Sequence, residues 1–431
     1  MRAMKNSGIE WIGEIPQNWH TTRIKYCMAI DQEKLSEKTD PEYTFQYIDI
    51  SGVTEYGGIG ETTEMTFEKS PSRARMVVKP GDTIISTVRT YLKAVAYIDS
   101  LGDHICSTGF CVLSPKKGLF PKFAYYVLQS DYVVQKIVSE SVGVSYPAIS
   151  STEIGDIKIA LPEYVVQARI ADYLDAKCAE IDALIATKEK TNALLKERRQ
   201  SIIYEAVTKG LDPTIPMKDS GVEWIGEMPE GWSTWRMKHL AVEPLQYGAN
   251  ATGIEFDSEL PRYVRITDIT PDRKLNDEGI QSLPESIARD YMLEPGDILF
   301  ARSGATSGKS FFYEKEYGSC CFAGYLIRFR PDPLKSKSKF LYYYTLTQAY
   351  EQWTQQIFIQ ATIQNISAEK YNNLVFALPP TLDEQAEIVA FLDSECGKLD
   401  RIIGNNDSTI QKLKEYRQSL IYEAVTGKIE V

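Results

Sequence analysis

Apolar residues recurring every seven positions mark two stretches of the chain as helices with one apolar seam each. Between Gln167 and Thr208 the seam runs through Leu174, Ile181, Leu195 and Ile202, with Cys178, Ile185 and Ala206 at the companion positions. Between Gln385 and Thr426 it runs through Leu392, Leu399, Leu413 and Leu420, with Cys396, Ile403, Ile410 and Ala424. Neither stretch contains proline, and at 1.5 Å per residue each predicts a helix of about 60 Å. A lone helix of this kind would leave its stripe in water, so each predicts the other as partner in a coiled coil. Both seams break at matching places, at Lys188 and Asn406 in the middle and at Arg199 and Arg417 near the end. Polar residues there fix register at some cost in stability. Two such helices could pack merely to bury each other. The duplication reaches beyond them, which favours a rod that separates whatever sits at its ends.

The rest of the chain is also written twice. KNSGIEWIGEIPQNWHTTRIK at 5–25 recurs as KDSGVEWIGEMPEGWSTWRMK at 218–238, so that Trp11, Pro16 and Trp19 match Trp224, Pro229 and Trp232. These lead segments hold no reactive constellation, and the expected role of their tryptophans is to anchor them on the domain that follows. TFQYIDI, DTIISTV, AVAYI and ICSTGFCVL then read as strands, and FPKFAYYVLQSDYVVQKIVS as one amphipathic helix starting near Pro121. RYVRITDI, GDILFAR, KSFFYE, CCFAGYLIRFR and the helix SKFLYYYTLTQAYEQWTQQIF repeat that order. The tyrosines Tyr342, Tyr343 and Tyr344 fit the core of that helix better than a base-stacking platform. The fold class is α+β, with two tandem pseudo-symmetric domains at 1–160 and 211–377 and two long helices at 161–210 and 378–431.

Composition narrows the function. The chain of 431 residues has a net charge of −11, and none of its four segments is net positive, so any nucleic-acid contact must come from local patches. Seven cysteines without a CxxC pair, and only His20, His104 and His239, argue against a disulfide framework or a zinc site. There is no apolar leader and no stretch of membrane-spanning length, so a cytosolic protein is expected. GATSGKS at 304–310 places three residues between Gly304 and Gly308 where a P-loop needs four, and nucleotide binding there is rejected. No glycine-rich cofactor loop or nuclease carboxylate pair is present.

At this point the sequence resembles a family, the specificity subunits of type I restriction–modification enzymes. The resemblance covers essentially the whole chain. It rests on the WIGEIP lead, the PGD turns at 80–82 and 295–297, the LPPTLDEQ run at 378–385 and the duplicated RQSxIYEAVT helix end. The first lead-in, LPEYVVQ, lacks the acidic residue before Gln167 and is one residue shorter. The resemblance implies a chain without catalysis of its own, whose two domains each read half of a split, asymmetric site on double-stranded DNA. It implies helices paired antiparallel as a ruler. The implied partners are two methyltransferase subunits and the endonuclease/translocase subunits, which would carry S-adenosylmethionine, ATP and magnesium.

Candidate contact residues follow from chemistry: arginine forks suit guanine edges, Asn and Gln suit adenine, and Lys, Ser and Thr hold phosphates. After the first PGD turn stand Arg89, Thr90, Tyr91 and Lys93; after the second stand Arg302, Ser303, Thr306 and Lys309. Polar loop clusters add Ser145 and Tyr146 in one half and Gln360, Thr362, Gln364 and Asn365 in the other. The basic run at 68–79 adds Lys69, Arg73 and Arg75. No metal ligands are expected. A different class of protein, a coiled-coil assembly scaffold that binds no DNA, would share the duplication and the acidic balance. A stand-alone nuclease would need carboxylates that are missing.

Overall fold

Absence of proline lets both periodic stretches run uninterrupted. In the computed structural model, which describes residues 3–54, 57–99, 102–304, 306–359 and 365–431, the central helix spans Tyr164–Lys209 and the C-terminal helix Leu382–Val425. Each ends at a glycine in the left-handed region, Gly210 at φ 75° and Gly427 at φ 72°, where a residue without Cβ carries no steric penalty. The chain forms two compact units, Met1–Glu189 with Asn406–Val431, and Lys190–Asn405. Each unit holds one α+β domain and the parts of both long helices that pack on it.

Within the first unit Leu174, Ile181, Ile185 and Leu420 are buried and Leu413 is half-buried. Asp182 meets Arg417 at 2.9 Å and Lys188 meets Asn406 at 3.1 Å, so the partner's number falls as the central helix climbs, and the pairing is antiparallel. Within the second unit Leu392, Leu399 and Ile403 are buried, and Arg199 meets Asp400 at 3.0 Å. Leu195 and Ile202, expected in the seam, are only half-buried there. Asn192, seven residues after Ile185, is buried, and so is Ile203 next to Ile202. Ile203 belongs to the core cluster that holds Trp232 and Leu392, and Ile202 packs at the margin of that cluster.

Each domain builds two four-stranded sheets. In the first unit one runs in the order Thr63–Thr66, Thr44–Ile48, His104–Ser107, Ala74–Val78, and the other Met28–Ile30, Phe110–Pro115, Thr83–Ser86, Val95–Tyr97. The stretch expected as one strand, ICSTGFCVL, is therefore two, split at Thr108–Gly109 so that each half serves a different sheet. The second unit repeats this, with Cys320–Phe322 and Leu326–Phe329 in separate sheets. The helix expected near Pro121 is likewise two, Pro121–Gln129 and Asp131–Glu140, broken where Ser130 is extended at ψ 142°. Its counterpart breaks between Ser338–Tyr344 and Gln348–Ile359, where the Thr345 and Thr347 hydroxyls donate to carbonyls of the preceding turn at 2.6 and 2.7 Å. Tyr343 and Tyr344 are core residues, as their helical spacing suggested, and Tyr342 is half-buried.

The domains are tied to the helices by duplicated polar anchors. Gln167 is buried; its Oε1 accepts the Phe120 amide at 2.8 Å and its Nε2 donates to Pro162 at 2.8 Å. Gln385 accepts the Lys337 amide at 2.8 Å in the same way. Asp175 accepts the Tyr126 hydroxyl at 2.7 Å, and Asp393 accepts that of Tyr343 at 2.6 Å. Burial first, and then these carboxylates, hold both phenols protonated far above their ordinary range.

The lead segments seat helix ends. A Cβ on Gly427 would lie 2.5 Å from the Pro16 ring and 3.1 Å from Trp19, and one on Gly210 would lie 3.4 Å from Trp232. Trp19 and Trp232 are buried as expected. Trp11 is 42% exposed, with the Lys136 ammonium 4.4 Å over its ring, and Trp224 is half-buried, so only the second tryptophan of each segment is a full anchor.

Candidate nucleic-acid interface

The strand after each PGD turn is buried along its whole length, Thr83–Ser86 in one unit and Ile298–Ala301 in the other. Its continuation is fixed by the backbone. The Thr87 amide donates to Gly109 O at 2.8 Å and its carbonyl accepts from Ile149 at 2.9 Å. The Arg302 amide donates to Tyr325 O at 3.0 Å and its carbonyl accepts from Ile366 at 2.9 Å. Val88 then bridges to Ala148, and Ser303 to Asn365. Thr87 and Arg302 thus occupy the same node of one frame, and Arg89 corresponds to Gly304.

Beyond the node the two units differ. In the first, Arg89 and Lys93 adopt left-handed backbone, φ 51° and 52°, at a cost of about 1–2 kcal/mol each. The Arg89 amide donates to Pro147 at 2.8 Å, and its guanidinium lies 5.0 Å from the centre of the Tyr146 ring. Thr90 points inward and donates to the Ser141 hydroxyl at 2.8 Å, so its role is to close the loop. Tyr91, Lys93, Ser145 and Tyr146 are exposed around it, Lys93 with Asp131 4.0 Å away.

The basic run lies beside this tip. Arg73 gives its carbonyl to Thr108, next to the Gly109 that serves Thr87, so the Thr108–Gly109 split joins the two groups. Arg73 pairs with Asp49 at 2.9 Å. Arg75 is half-buried, 4.6 Å over Phe67 and bonded to the Ala74 carbonyl at 2.9 Å, which gives it a structural job in the strand. Lys69 is exposed on the preceding turn.

In the second unit the node itself carries the cation. The Arg302 guanidinium lies 4.9 Å from the Tyr247 ring and 6.0 Å from that of Tyr325. Ser303, Thr306 and Lys309 are half-buried in the turn that follows, closed by Lys309 N to Thr306 O at 2.9 Å. Asn365 is held in the bridge to Ser303, and its Oδ1 is buried without a hydrogen-bond partner among the described residues. Gln360, Thr362 and Gln364 lie outside the described residues. Sequence reasoning missed Tyr247 and Tyr325, which come from other strands and turns and carry no local signal. Among the described residues no group of His, Cys, Asp or Glu could hold a metal ion, and no helix is long and apolar enough to cross a membrane.

The two domains share one backbone frame and differ in the polar tips it carries. The family model for the type I restriction modification DNA specificity domain matches residues 16–197 and 268–415, and the chain belongs to that family. It is 25% identical to the type I restriction enzyme StySPI specificity subunit of Salmonella potsdam, over 97% of this chain and 90% of that one. It is 23% identical to the EcoKI specificity subunit of Escherichia coli K12, over 86% and 79%. A chain from a solved structure concerning complex assembly in the type I R-M system superposes with a TM-score of 0.71 at 24% identity, covering 96% of this chain and 99% of that one, and shares its fold.

Proposed function

We propose that the chain is the non-catalytic DNA-reading subunit of a type I restriction–modification complex. The domain within 1–160 reads one half of a split, asymmetric site and the domain within 211–377 reads the other. The observation that carries this reading is the node shared by Thr87 and Arg302: one backbone frame, held by matching hydrogen bonds, presents a buried threonine in one copy and a tyrosine-backed arginine in the other. Identical tips would read a symmetric site; unlike tips read an asymmetric one. Family membership supports DNA as the ligand, and division of the work over two domains gives the discrimination that one small module cannot.

The duplicated helices and their polar anchors favour two equivalent docking sites for methyltransferase subunits, with endonuclease subunits joining that core in the cytoplasm. S-adenosylmethionine, ATP and magnesium then act on those partners. The test is a genome-wide map of N6-methyladenine in a host carrying the chain with its methyltransferase, against the same host without the chain. Loss of methylation at one split motif is expected. Persistence of the same marks without the chain overturns the reading.

A further inference from the structure

Building on the DNA-reading function above, we propose that each domain reads a guanine through an arginine whose guanidinium lies over a tyrosine ring. Arg302 does so in the second domain and Arg89 in the first, from frame positions two residues apart. Most described arginines of these domains are neutralised internally: Arg23, Arg73, Arg262, Arg265, Arg289, Arg328 and Arg330 each pair with a carboxylate. Among the described residues Arg89 and Arg302 have no carboxylate within 4.0 Å, and their close neighbours are aromatic faces.

Arg302 is fixed at both ends. Its amide and carbonyl are both committed to the frame. The Tyr247 ring is itself tethered, with its hydroxyl accepting the Ala368 amide at 3.0 Å. Nε is buried without a hydrogen-bond partner among the described residues, and Nη1 has only a long contact of 3.4 Å to Gly324 O. A contact with a ring uses no N–H donor, and the planar guanidinium fork matches guanine O6 and N7. Because the rings already restrict the side chain, less freedom is lost on binding.

Arg89 reaches a similar state by another route, with its backbone left-handed and bonded to Pro147 and its head over the exposed ring of Tyr146. Neither domain has both cations, since Thr87 replaces Arg302 and Gly304 replaces Arg89. The two guanines therefore sit at different places relative to the two frames. The same fork also fits a phosphate, which carries no sequence information.

The experiment is methylation mapping of variants co-expressed with the methyltransferase in a methylation-free host. Wild type is expected to give a split motif with a guanine, on either strand, in each half. Arg302→Ala and Arg302→Lys should relax one guanine position in the half read by the second domain, lowering its discrimination about 10- to 100-fold, and leave the other half unchanged. Tyr247→Leu should relax the same position, and Tyr247→Phe, which keeps the ring and loses only its tether to the Ala368 amide, should relax it less. The proposal is overturned by a half-site lacking guanine, by an unchanged motif in Arg302→Ala, or by a uniform fall across all sites in a variant that still co-purifies with the methyltransferase, which marks a phosphate contact. Absence of any split motif in wild type would instead remove the DNA-reading function itself.

Discussion

Arg417 on the C-terminal helix donates from Nε to Asp182 on the central helix at 2.9 Å, and at the equivalent place with the helices exchanged Arg199 Nε lies 3.0 Å from Asp400 without a hydrogen bond. The pairs differ in setting. The Arg417 side chain is 5% exposed and also reaches Gln129 Oε1 at 3.4 Å, whereas Arg199 is 29% exposed and Asp400 54%. Removing one partner of a buried pair leaves an uncompensated charge, while an exposed pair contributes little. Arg417→Ala should therefore cost about 2–3 kcal/mol and Arg199→Ala under about 1 kcal/mol. Thermal melts of the two variants check this; equal losses would contradict it.

Gln167 joins the start of the central helix to the loop before Pro121. Gln167→Ala leaves the Phe120 amide and the Pro162 carbonyl without their partner in a buried site, at a cost of about 2 kcal/mol. Hydrogen exchange at the Phe120 amide should quicken while that of the sheet amides stays slow. Unchanged protection at Phe120 would refute the anchoring role.

Glycines with similar backbone should differ in tolerance. Gly427 and Gly226 both have positive φ, 72° and 68°, but a Cβ at Gly427 would strike Pro16 at 2.5 Å while one at Gly226 meets nothing within 4 Å. Gly226→Ala should cost only the backbone term of about 1 kcal/mol. Gly427→Ala should cost clearly more, since both contacts at Pro16 are ring atoms. Melting midpoints in the reverse order would show that the helix end is not seated on the lead segment.

The cysteines give a pH-dependent prediction. Burial pushes the Cys27, Cys178 and Cys320 thiols up to about 11, and those of Cys111 and Cys321 up to about 12. A raised thiol pKa keeps the neutral form through neutral pH, so little reactive thiolate exists below about pH 10. Native protein at pH 8 should alkylate slowly at all seven cysteines, and unfolded protein rapidly. Fast labelling of half-buried Cys27 at pH 8 would contradict this.

Much of this architecture is legible in the sequence because it is written twice. Periodicity located both long helices, and Lys188, Asn406, Arg199 and Arg417 stood out as the polar interruptions that the structure pairs across the seam. Where the reading failed, tertiary geometry won over local pattern. Ile203 is buried more deeply than Ile202 because the domain core packs on that side of the helix, and Ser130 breaks a helix whose periodicity runs straight through it. Thr108–Gly109 splits a continuous β-rich run between two sheets, because the frame needs one chain to feed both. At the tips, residue type identified Arg89 and Arg302 as candidates, yet their non-equivalence emerged only from the hydrogen bonds that align Thr87 with Arg302. Tyr247 lies more than fifty residues from Arg302 in the chain, and nothing in the sequence links them.

The central claim is that two independent readers stand on one repeated frame. The most direct measurement exchanges residues 211–377 for the corresponding domain of a relative with a different target, followed by methylation mapping. One half of the split motif should change to the donor's and the other half should remain as it was. A change in both halves, or in neither, would contradict the account.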